Sequence, residues 1–222
     1  MMPILNLENI SYRYKNAQGT AVSGITYAFE EGKVYAIVGP SGSGKSTLLS
    51  LLAGLDSPTE GGVFFQGESL AGLDLDRYRR ESVSMIFQAF HLFPLLTVME
   101  NVCFPMELRK VAPKDAKPYA ASLLEGVGIT KEQMGRFPSK LSGGEQQRVA
   151  IARSLASGAR VILGDEPTGN LDGANTQNII DILGSLAHEK GYCVIIVTHD
   201  TEVAEAADVA LRMKDGELGE VR

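Results

Sequence analysis

The chain has no tryptophan, and it contains only two cysteines and three histidines among its 222 residues. Cys103 and Cys193 stand far apart without C-x-x-C spacing. Two buried thiols in a reducing compartment are therefore a better interpretation than a disulfide framework or a zinc site. No apolar run approaches the roughly 18–20 residues that cross a bilayer. The first residues also lack the basic start and long apolar stretch of a secretion signal, so we expect the protein to stay in the cytosol.

Positive charge is scarce as well, because 27 acidic residues outnumber 21 basic ones and give a formal net charge of −6. Nucleic-acid surfaces usually carry a basic patch, so we expect no nucleic-acid partner. A hydrophobic fraction of 44% is enough for a substantial core. The length fits one large domain or two small ones, and no repeat or long linker separates independent units.

One glycine-rich segment carries the strongest signal, because it matches the P-loop pattern G-x-x-x-x-G-K-[ST]. It consists of Gly39, Pro40, Ser41, Gly42, Ser43, Gly44, Lys45, Ser46 and Thr47. An apolar β-type run precedes the segment and a helical run follows it. A strand, a glycine turn and a helix N-terminus direct several backbone N–H groups at one spot, which suits a polyanion. We therefore predict a nucleotide-binding loop in which Lys45 reaches the β- and γ-phosphates and the Ser46 hydroxyl binds Mg²⁺.

A second motif decides which kind of nucleotide-dependent protein this is. Residues 141–148 read LSGGEQQR, and the pair Asp165 and Glu166 follows the apolar run Val161–Leu163. The first motif resembles the signature sequence of ATP-binding-cassette (ABC) ATPases, and the second resembles their Walker B aspartate and catalytic glutamate. The resemblance covers essentially the whole chain, and the motifs occur in the family's order.

This resemblance implies an α/β fold. It consists of a P-loop NTPase (RecA-like) parallel-sheet core, an N-terminal antiparallel β-subdomain and an inserted helical subdomain. We expect a single domain over residues 1–222. Roughly residues 1–88 and 160–222 would form the core and β-subdomain, and roughly residues 89–159 the helical signature subdomain. The hydrophobic pattern predicts strands at Ile4–Ile10, Ile25–Phe29, Val34–Val38, Val63–Phe65, Val83–Phe87, Val161–Leu163 and Tyr192–Val197. It predicts helices at Thr47–Ala53, Val98–Leu108, Lys114–Val127, Val149–Ala156, Thr176–Glu189 and Glu202–Ala207, with Pro105, Pro113 and Pro118 as breaks or first-turn residues.

The chemistry implied by the resemblance is the transfer of a phosphoryl group from ATP to water. Asp165 would lie at the carboxyl end of a buried strand, where open α/β sheets bind ligands, and would share Mg²⁺ with Ser46. Glu166 is the expected general base. His199 matches the switch histidine that contacts the γ-phosphate. Gln88 matches the Q-loop glutamine, whose amide can meet both the metal and the attacking water.

Two tyrosines compete for the adenine base, because Tyr12 and Tyr14 would share one face of a regular strand. The family pattern places the stacking residue at Tyr14. The signature residues Ser142, Gly143 and Gly144, followed by Glu145, again offer a hydroxyl, bare backbone and a helix N-terminus, which predicts a second anion site. In the family this site contacts ATP held by another subunit, and Asp172 belongs to the D-loop that crosses to that subunit. We therefore expect a head-to-tail homodimer.

The run Asp165–Asp172 reads DEPTGNLD, which is typical of ATPases that resemble those of lipoprotein release, macrolide efflux and antimicrobial-peptide resistance. Such ATPases serve separate membrane subunits, often by transmitting motion across the membrane. We expect the subunits to dock near Gln88 to Val98, where Phe90–Leu96 is apolar, although part of this segment would pack within the helical subdomain. The protein would then lie on the cytoplasmic face of the cell membrane.

Three other functions fit the motifs less well. An ABC-type ATPase of DNA repair would need a coiled coil or DNA-binding insertion between Lys45 and Asp165, and a translation factor would need two cassettes. An ATPase of iron–sulfur assembly with soluble partners is disfavoured by the run Thr168–Asp172, but it stays open.

Overall fold

The computed structural model describes residues 3–15 and 19–221. The strands are β1 (Leu5–Tyr12), β2 (Val22–Phe29), β3 (Val34–Val38), β4 (Glu60–Phe65), β5 (Glu68–Ser69), β6 (Val83–Phe87), β7 (Val161–Asp165), β8 (Cys193–Thr198), β9 (Val209–Lys214) and β10 (Glu217–Glu220). The helices are α1 (Lys45–Leu52), α2 (Leu75–Glu81), α3 (Val98–Leu108), α4 (Pro113–Gly126), α5 (Lys131–Met134), α6 (Gly143–Ala156), α7 (Gly173–Lys190) and α8 (Thr201–Ala206).

A six-stranded sheet in the order β10-β9-β3-β8-β7-β6 forms the core. Its strands are parallel except for the edge strand β10, which pairs antiparallel with β9. The register aligns the carboxyl ends of the central strands, because Val38 lies opposite Thr198 and Asp165 lies opposite both Val197 and Phe87. The residues that follow these strands therefore emerge along one edge, where parallel α/β sheets place their ligands.

The sheet separates two hydrophobic clusters. A second, antiparallel sheet in the order β2-β1-β4-β5 encloses one cluster together with α1 and one face of the core sheet. The other face packs against α3, α4, α6 and α7. Because side chains on β8 alternate in direction, Cys193, Ile195 and Val197 join the first cluster, while Val194 and Ile196 join the second. The predicted buried thiols are confirmed: Cys103 lies in the helical cluster, Cys193 in the other, and both are free.

A buried asparagine organises the segment that precedes the helical layer. Asn101 on α3 is fully buried. Its amide nitrogen donates to the carbonyl oxygens of Phe93, Leu96 and Thr97 at 3.1, 3.0 and 2.9 Å, and its amide oxygen accepts the Phe93 N–H at 2.8 Å. These four bonds fold the chain between β6 and α3 back onto the helix. Leu95 at the tip of this loop is 87% exposed.

The prediction that the prolines break helices is wrong for two of the three. Pro105 lies inside α3 and Pro118 inside α4, while Pro113 occupies the first turn of α4. The cost of an interior proline, about 3 kcal/mol, is outweighed here because α3 buries Val102 and Met106 in the helical cluster. Among residues 3–15 and 19–221, none of the helices combines the length and apolarity that a membrane crossing needs.

Candidate active site

The loop between β3 and α1 can form only with glycine at two positions. A Cβ atom at Gly39 would lie 2.1 Å from the Met213 carbonyl oxygen, and one at Gly44 would lie 2.2 Å from the Ala21 carbonyl oxygen. Gly44 also has a φ of +106°, a conformation that other residues rarely adopt. The loop therefore follows neighbouring backbone closely. Its Ser43 N–H donates to the Pro40 carbonyl oxygen at 3.3 Å, and the loop leads into the N-terminus of α1, where helix N–H groups favour an anion.

Lys45 supplies a positive charge inside this loop. The residue is only 8% exposed, and its Nζ donates hydrogen bonds to the carbonyl oxygens of Gly39 and Pro40 at 2.8 and 3.0 Å. Neither partner is charged, so the loop holds a largely buried cation that a phosphate would neutralise. The Ser43 hydroxyl is also buried, and within the described residues it has no hydrogen-bond partner.

A cleft of about 430 Å³ opens above the loop, and we call it the P-loop cleft. Besides loop residues from Gly39 to Thr47, it is lined by Tyr14, Ala21, Glu166 and His199. Three side chains that lie far apart in the sequence and that were expected at the nucleotide thus meet in one concave site. The volume falls within the usual range for small-molecule pockets.

Two of the three expected metal ligands, Ser46 and Asp165, lie side by side at the cleft. The Ser46 hydroxyl donates to Asp165 Oδ1 at 3.3 Å. Burial raises the pKa of the Asp165 carboxyl, and the hydrogen bond from Ser46 offsets this only in part. A desolvated carboxylate next to a hydroxyl suits a hard cation such as Mg²⁺. In residues 3–15 and 19–221 no group of three or more His, Cys, Asp or Glu side chains is arranged to hold a metal ion.

Glu166 occupies a strained position directly after β7. Its φ is +49°, in the left-handed region that non-glycine residues seldom adopt. Its N–H donates to the Val197 carbonyl oxygen at 2.9 Å, which keeps the turn against β8. The carboxylate is 23% exposed and lies in close contact with Nδ1 of His199, whose ring is 70% exposed. The turn thus places Glu166 in the lining of the cleft, while Asp165 is the last residue of β7.

Gln88 does not line the P-loop cleft. Its Nε2 donates to Asn170 Oδ1 at 3.3 Å, and the Asn170 amide donates back to the Gln88 carbonyl oxygen at 3.0 Å. It follows Phe87, the partner of Asp165 in the sheet, so its backbone is placed at the correct edge. The side chain lies against the loop after Glu166 rather than beside Ser46 or Asp165.

The two candidate tyrosines separate because β1 ends at Tyr12. Tyr12 donates to the Asp56 carboxylate at 3.2 Å and packs against the core. Tyr14 lies past the strand end, 47% exposed and within the cleft, with its hydroxyl 2.9 Å from the Thr47 hydroxyl. The two rings meet edge to face with centroids 5.0 Å apart. Tyr14 is therefore the tyrosine of the pair that lines the P-loop cleft.

The signature residues form a second surface, outside the cleft. Ser142 caps α6, and its hydroxyl accepts the Glu145 N–H at 3.3 Å while the Glu145 carboxylate accepts the Ser142 N–H at 2.6 Å. Gly144 allows Asn175 to approach, since a Cβ there would lie 2.3 Å from the Asn175 amide oxygen. Asp172 caps α7 by accepting the Asn175 N–H at 3.0 Å. Residues Ser142–Glu145 and Asp172, which we call the signature surface, do not line the P-loop cleft of the same chain.

Sequence reasoning missed one residue near the site. Gln147 on α6 is fully buried, and its Nε2 donates to the Pro167 carbonyl oxygen at 2.7 Å. The signal that could have found it is periodicity, because Gln147 precedes the apolar residues Ala150 and Ile151 by three and four positions and so shares their buried face.

A parallel core sheet, a P-loop cleft and a capped signature helix together define an ATP-binding cassette. A sequence model of the ABC transporter family matches residues 22–169, and the chain belongs to this family. It is the ATP-binding subunit type of that family, and its enzymatic activity is ATP hydrolysis. The expected α/β P-loop NTPase fold is confirmed as well.

Individual relatives are similar to this chain over nearly its full length. An uncharacterized ABC transporter ATP-binding protein, YclH of Bacillus subtilis (strain 168), is 40% identical over 215 residues, covering 97% of this chain and 95% of YclH. The dimeric structure of MJ0796, a bacterial ABC transporter cassette, is 37% identical with a TM-score of 0.88, covering 98% of this chain and 99% of that one. The cassette cbiO1 from Clostridium perfringens, part of the ABC transporter complex cbiONQ, is 29% identical with a TM-score of 0.90, covering 99% and 88%.

Proposed function

We propose that this chain drives a membrane transporter through an ATP-dependent, head-to-tail homodimer. The observation that carries the proposal is that the P-loop cleft and the signature surface lie apart on one chain. A single ATP in the cleft would leave the signature surface without a ligand. In a two-fold dimer each copy supplies its signature surface to the ATP of the other, so both ends of the nucleotide are bound. The related cassette MJ0796 also forms a dimer, including one bound to ADP and Pi.

In this proposal the residues of the cleft divide the work of hydrolysis. Lys45 and the loop N–H groups neutralise the phosphates, and Tyr14 stacks on the adenine. Ser46 and Asp165, joined by Gln88 when its loop moves, would hold Mg²⁺, and the ion would supply positive charge that stabilises the phosphates during transfer. Glu166 accepts a proton from the attacking water, and His199 contacts the γ-phosphate. Separation of the close contact between Glu166 and His199 is the local change that would free both groups for these roles.

The proposed membrane partner docks on a groove of about 330 Å³ beside the loop before α3. Its apolar lining includes Phe93, Phe104 and Leu108. Arg153 of α6 closes one side by donating to the carbonyl oxygens of His91 and Phe90. A short apolar segment of a membrane subunit fits such a groove. The protein would then act at the cytoplasmic face of the membrane, driving export or transmitting motion, as the DEPTGNLD run indicates.

The proposal is tested with Glu166→Gln, which keeps the shape of the side chain but removes the base. Hydrolysis should fall by about 10²-fold or more. ATP binding should persist because Lys45, Ser46 and Asp165 remain, so the variant should accumulate as an ATP-bound dimer in size-exclusion chromatography. Adding Ser142→Arg places bulk and charge at the signature surface and should abolish that dimer. A dimer that is indifferent to Ser142→Arg would contradict the proposed contact.

A further inference from the structure

Gln147 combines two features that rarely occur together in a buried side chain. Its amide nitrogen is bonded to the Pro167 carbonyl oxygen at 2.7 Å. Its amide oxygen is buried without a hydrogen-bond partner in the part of the chain that the structure describes. An unpaired, buried amide oxygen carries a free-energy cost. The bond to the Pro167 carbonyl oxygen is what glutamine provides here and what an apolar side chain of similar size would not provide.

The turn that receives this bond carries the proposed general base. Glu166 has a φ of +49°, and strained residues keep such a conformation only where their surroundings fix it. Strand β8 fixes the turn through the bond from the Glu166 N–H to the Val197 carbonyl oxygen. Strand β7 fixes it through packing, because a Cβ at Gly164 would lie 3.2 Å from the Pro167 ring. Gln147 supplies the third support, and it alone comes from the helical layer.

The bond from Gln147 matters because Gln147 lies on α6, the helix that begins at the signature surface. The helix begins at the signature surface, and Gln147 is its fifth residue, so about 6 Å of rigid helix separates the two. In the proposed dimer the helix N-terminus faces the ATP bound by the other copy. A shift of α6 therefore reaches the Pro167 carbonyl, and through the adjoining peptide the carboxylate of Glu166 in the same chain.

We propose that Gln147 is a positioning residue for Glu166, which ties the placement of the general base to the signature helix. The inference rests on the proposed function, since it takes Glu166 as the base. Gln147 does not line the P-loop cleft, so it would act through the Pro167 carbonyl oxygen. Its removal should impair the chemical step while leaving nucleotide binding in the cleft intact.

The test uses Gln147→Met in the full-length chain, which keeps the length of the side chain and removes the donor. We expect kcat to fall about tenfold, in line with the cost of misplacing a catalytic group by less than 1 Å, with KM unchanged. In the Glu166→Gln background the same substitution should have no further effect on the residual rate, because its target is already absent. A role in general stability would instead lower both rates by the same factor.

Two further variants keep the test decisive. Gln147→Asn retains the amide but is one methylene shorter, so it cannot reach the Pro167 carbonyl oxygen and should reproduce the loss of kcat. Tyr78→Phe is the matched control, since the Tyr78 hydroxyl makes a buried 2.7 Å bond to the Leu52 carbonyl oxygen away from the cleft. It should leave kcat unchanged. If Glu166→Gln is inactive while both Gln147 variants turn over like wild type, this inference is wrong and the proposed function stands. If Glu166→Gln itself turns over normally, the proposed function fails first.

Discussion

The loop before α3 depends on one side chain, so the substitution Asn101→Ala should destabilise the protein strongly. The alanine removes four hydrogen bonds, three donated to loop carbonyls and one accepted from the Phe93 N–H. At about 1 kcal/mol net for each bond the loss approaches 4 kcal/mol. Water can reach some of the freed carbonyls, and alanine favours the helix by about 0.6 kcal/mol over asparagine. We therefore expect a decrease of roughly 2–3 kcal/mol in the free energy of unfolding.

The decrease in stability can be measured by thermal unfolding, with circular dichroism as the signal. For a chain of this length 1 kcal/mol shifts Tm by about 2–4 °C, so Asn101→Ala should melt roughly 5–10 °C below wild type. Asn6→Ala is the matched control, because Asn6 makes a single exposed bond to Glu8 and its loss should change stability by less than about 0.5 kcal/mol. A decrease in Tm for Asn101→Ala no larger than that for Asn6→Ala would refute the role assigned to this network.

Three further predictions concern the two anion sites. Lys45→Ala should abolish ATP hydrolysis and weaken nucleotide binding, because it removes the main cation on the phosphates; near-normal turnover of the purified variant would contradict the P-loop assignment. Tyr14→Ala should weaken ATP binding, measured by titration calorimetry, more than Tyr12→Ala does, and the reverse order would show that the wrong ring was chosen. Hydrogen bonding from the Ser142 N–H lowers the pKa of Glu145 below its ordinary 4.5. Its contribution to stability is therefore complete above pH 4.5 and is lost as the pH falls through the folded value, so urea unfolding should show a steeper acid loss for wild type than for Glu145→Gln.

The sequence predicts the parallel core well because its strands are short apolar runs with clear boundaries. The bounds of β3, β6 and α3 match the predicted ones. Helix α2 was missed since it buries only Tyr78 and so has no apolar periodicity. The hairpin of β9 and β10 was missed for a related reason: Glu217–Glu220 has no buried face, and its pairing with β9 creates the strand.

At the site, the sequence identifies the candidate residues but not the residues that they contact in the structure. The motifs identify Glu166, His199 and Gln88. The contact between Glu166 and His199 and the hydrogen bond from Gln88 to Asn170, however, depend on tertiary structure. The choice between Tyr12 and Tyr14 depends on where β1 ends, a boundary that alternation alone cannot locate. Gln147 lies within the recognised LSGGEQQR run, but only the fold reveals that its partner is the carbonyl oxygen of Pro167, the residue after the general base.

The central sheet divides the core into two layers, and each layer contains one buried cysteine. The two native thiols can therefore be used to follow the two layers separately by chemical labelling. Cys103 is 6% exposed in the helical layer and Cys193 is fully buried beneath the antiparallel sheet, where burial raises its pKa to about 12. Neither thiol can react until its own layer opens. The rates at which a thiol reagent modifies the two cysteines therefore report the opening free energies of the two layers separately. If a nucleotide stabilises one layer more than the other, it would lower the modification rate of the cysteine in that layer and leave the rate of the other cysteine unchanged.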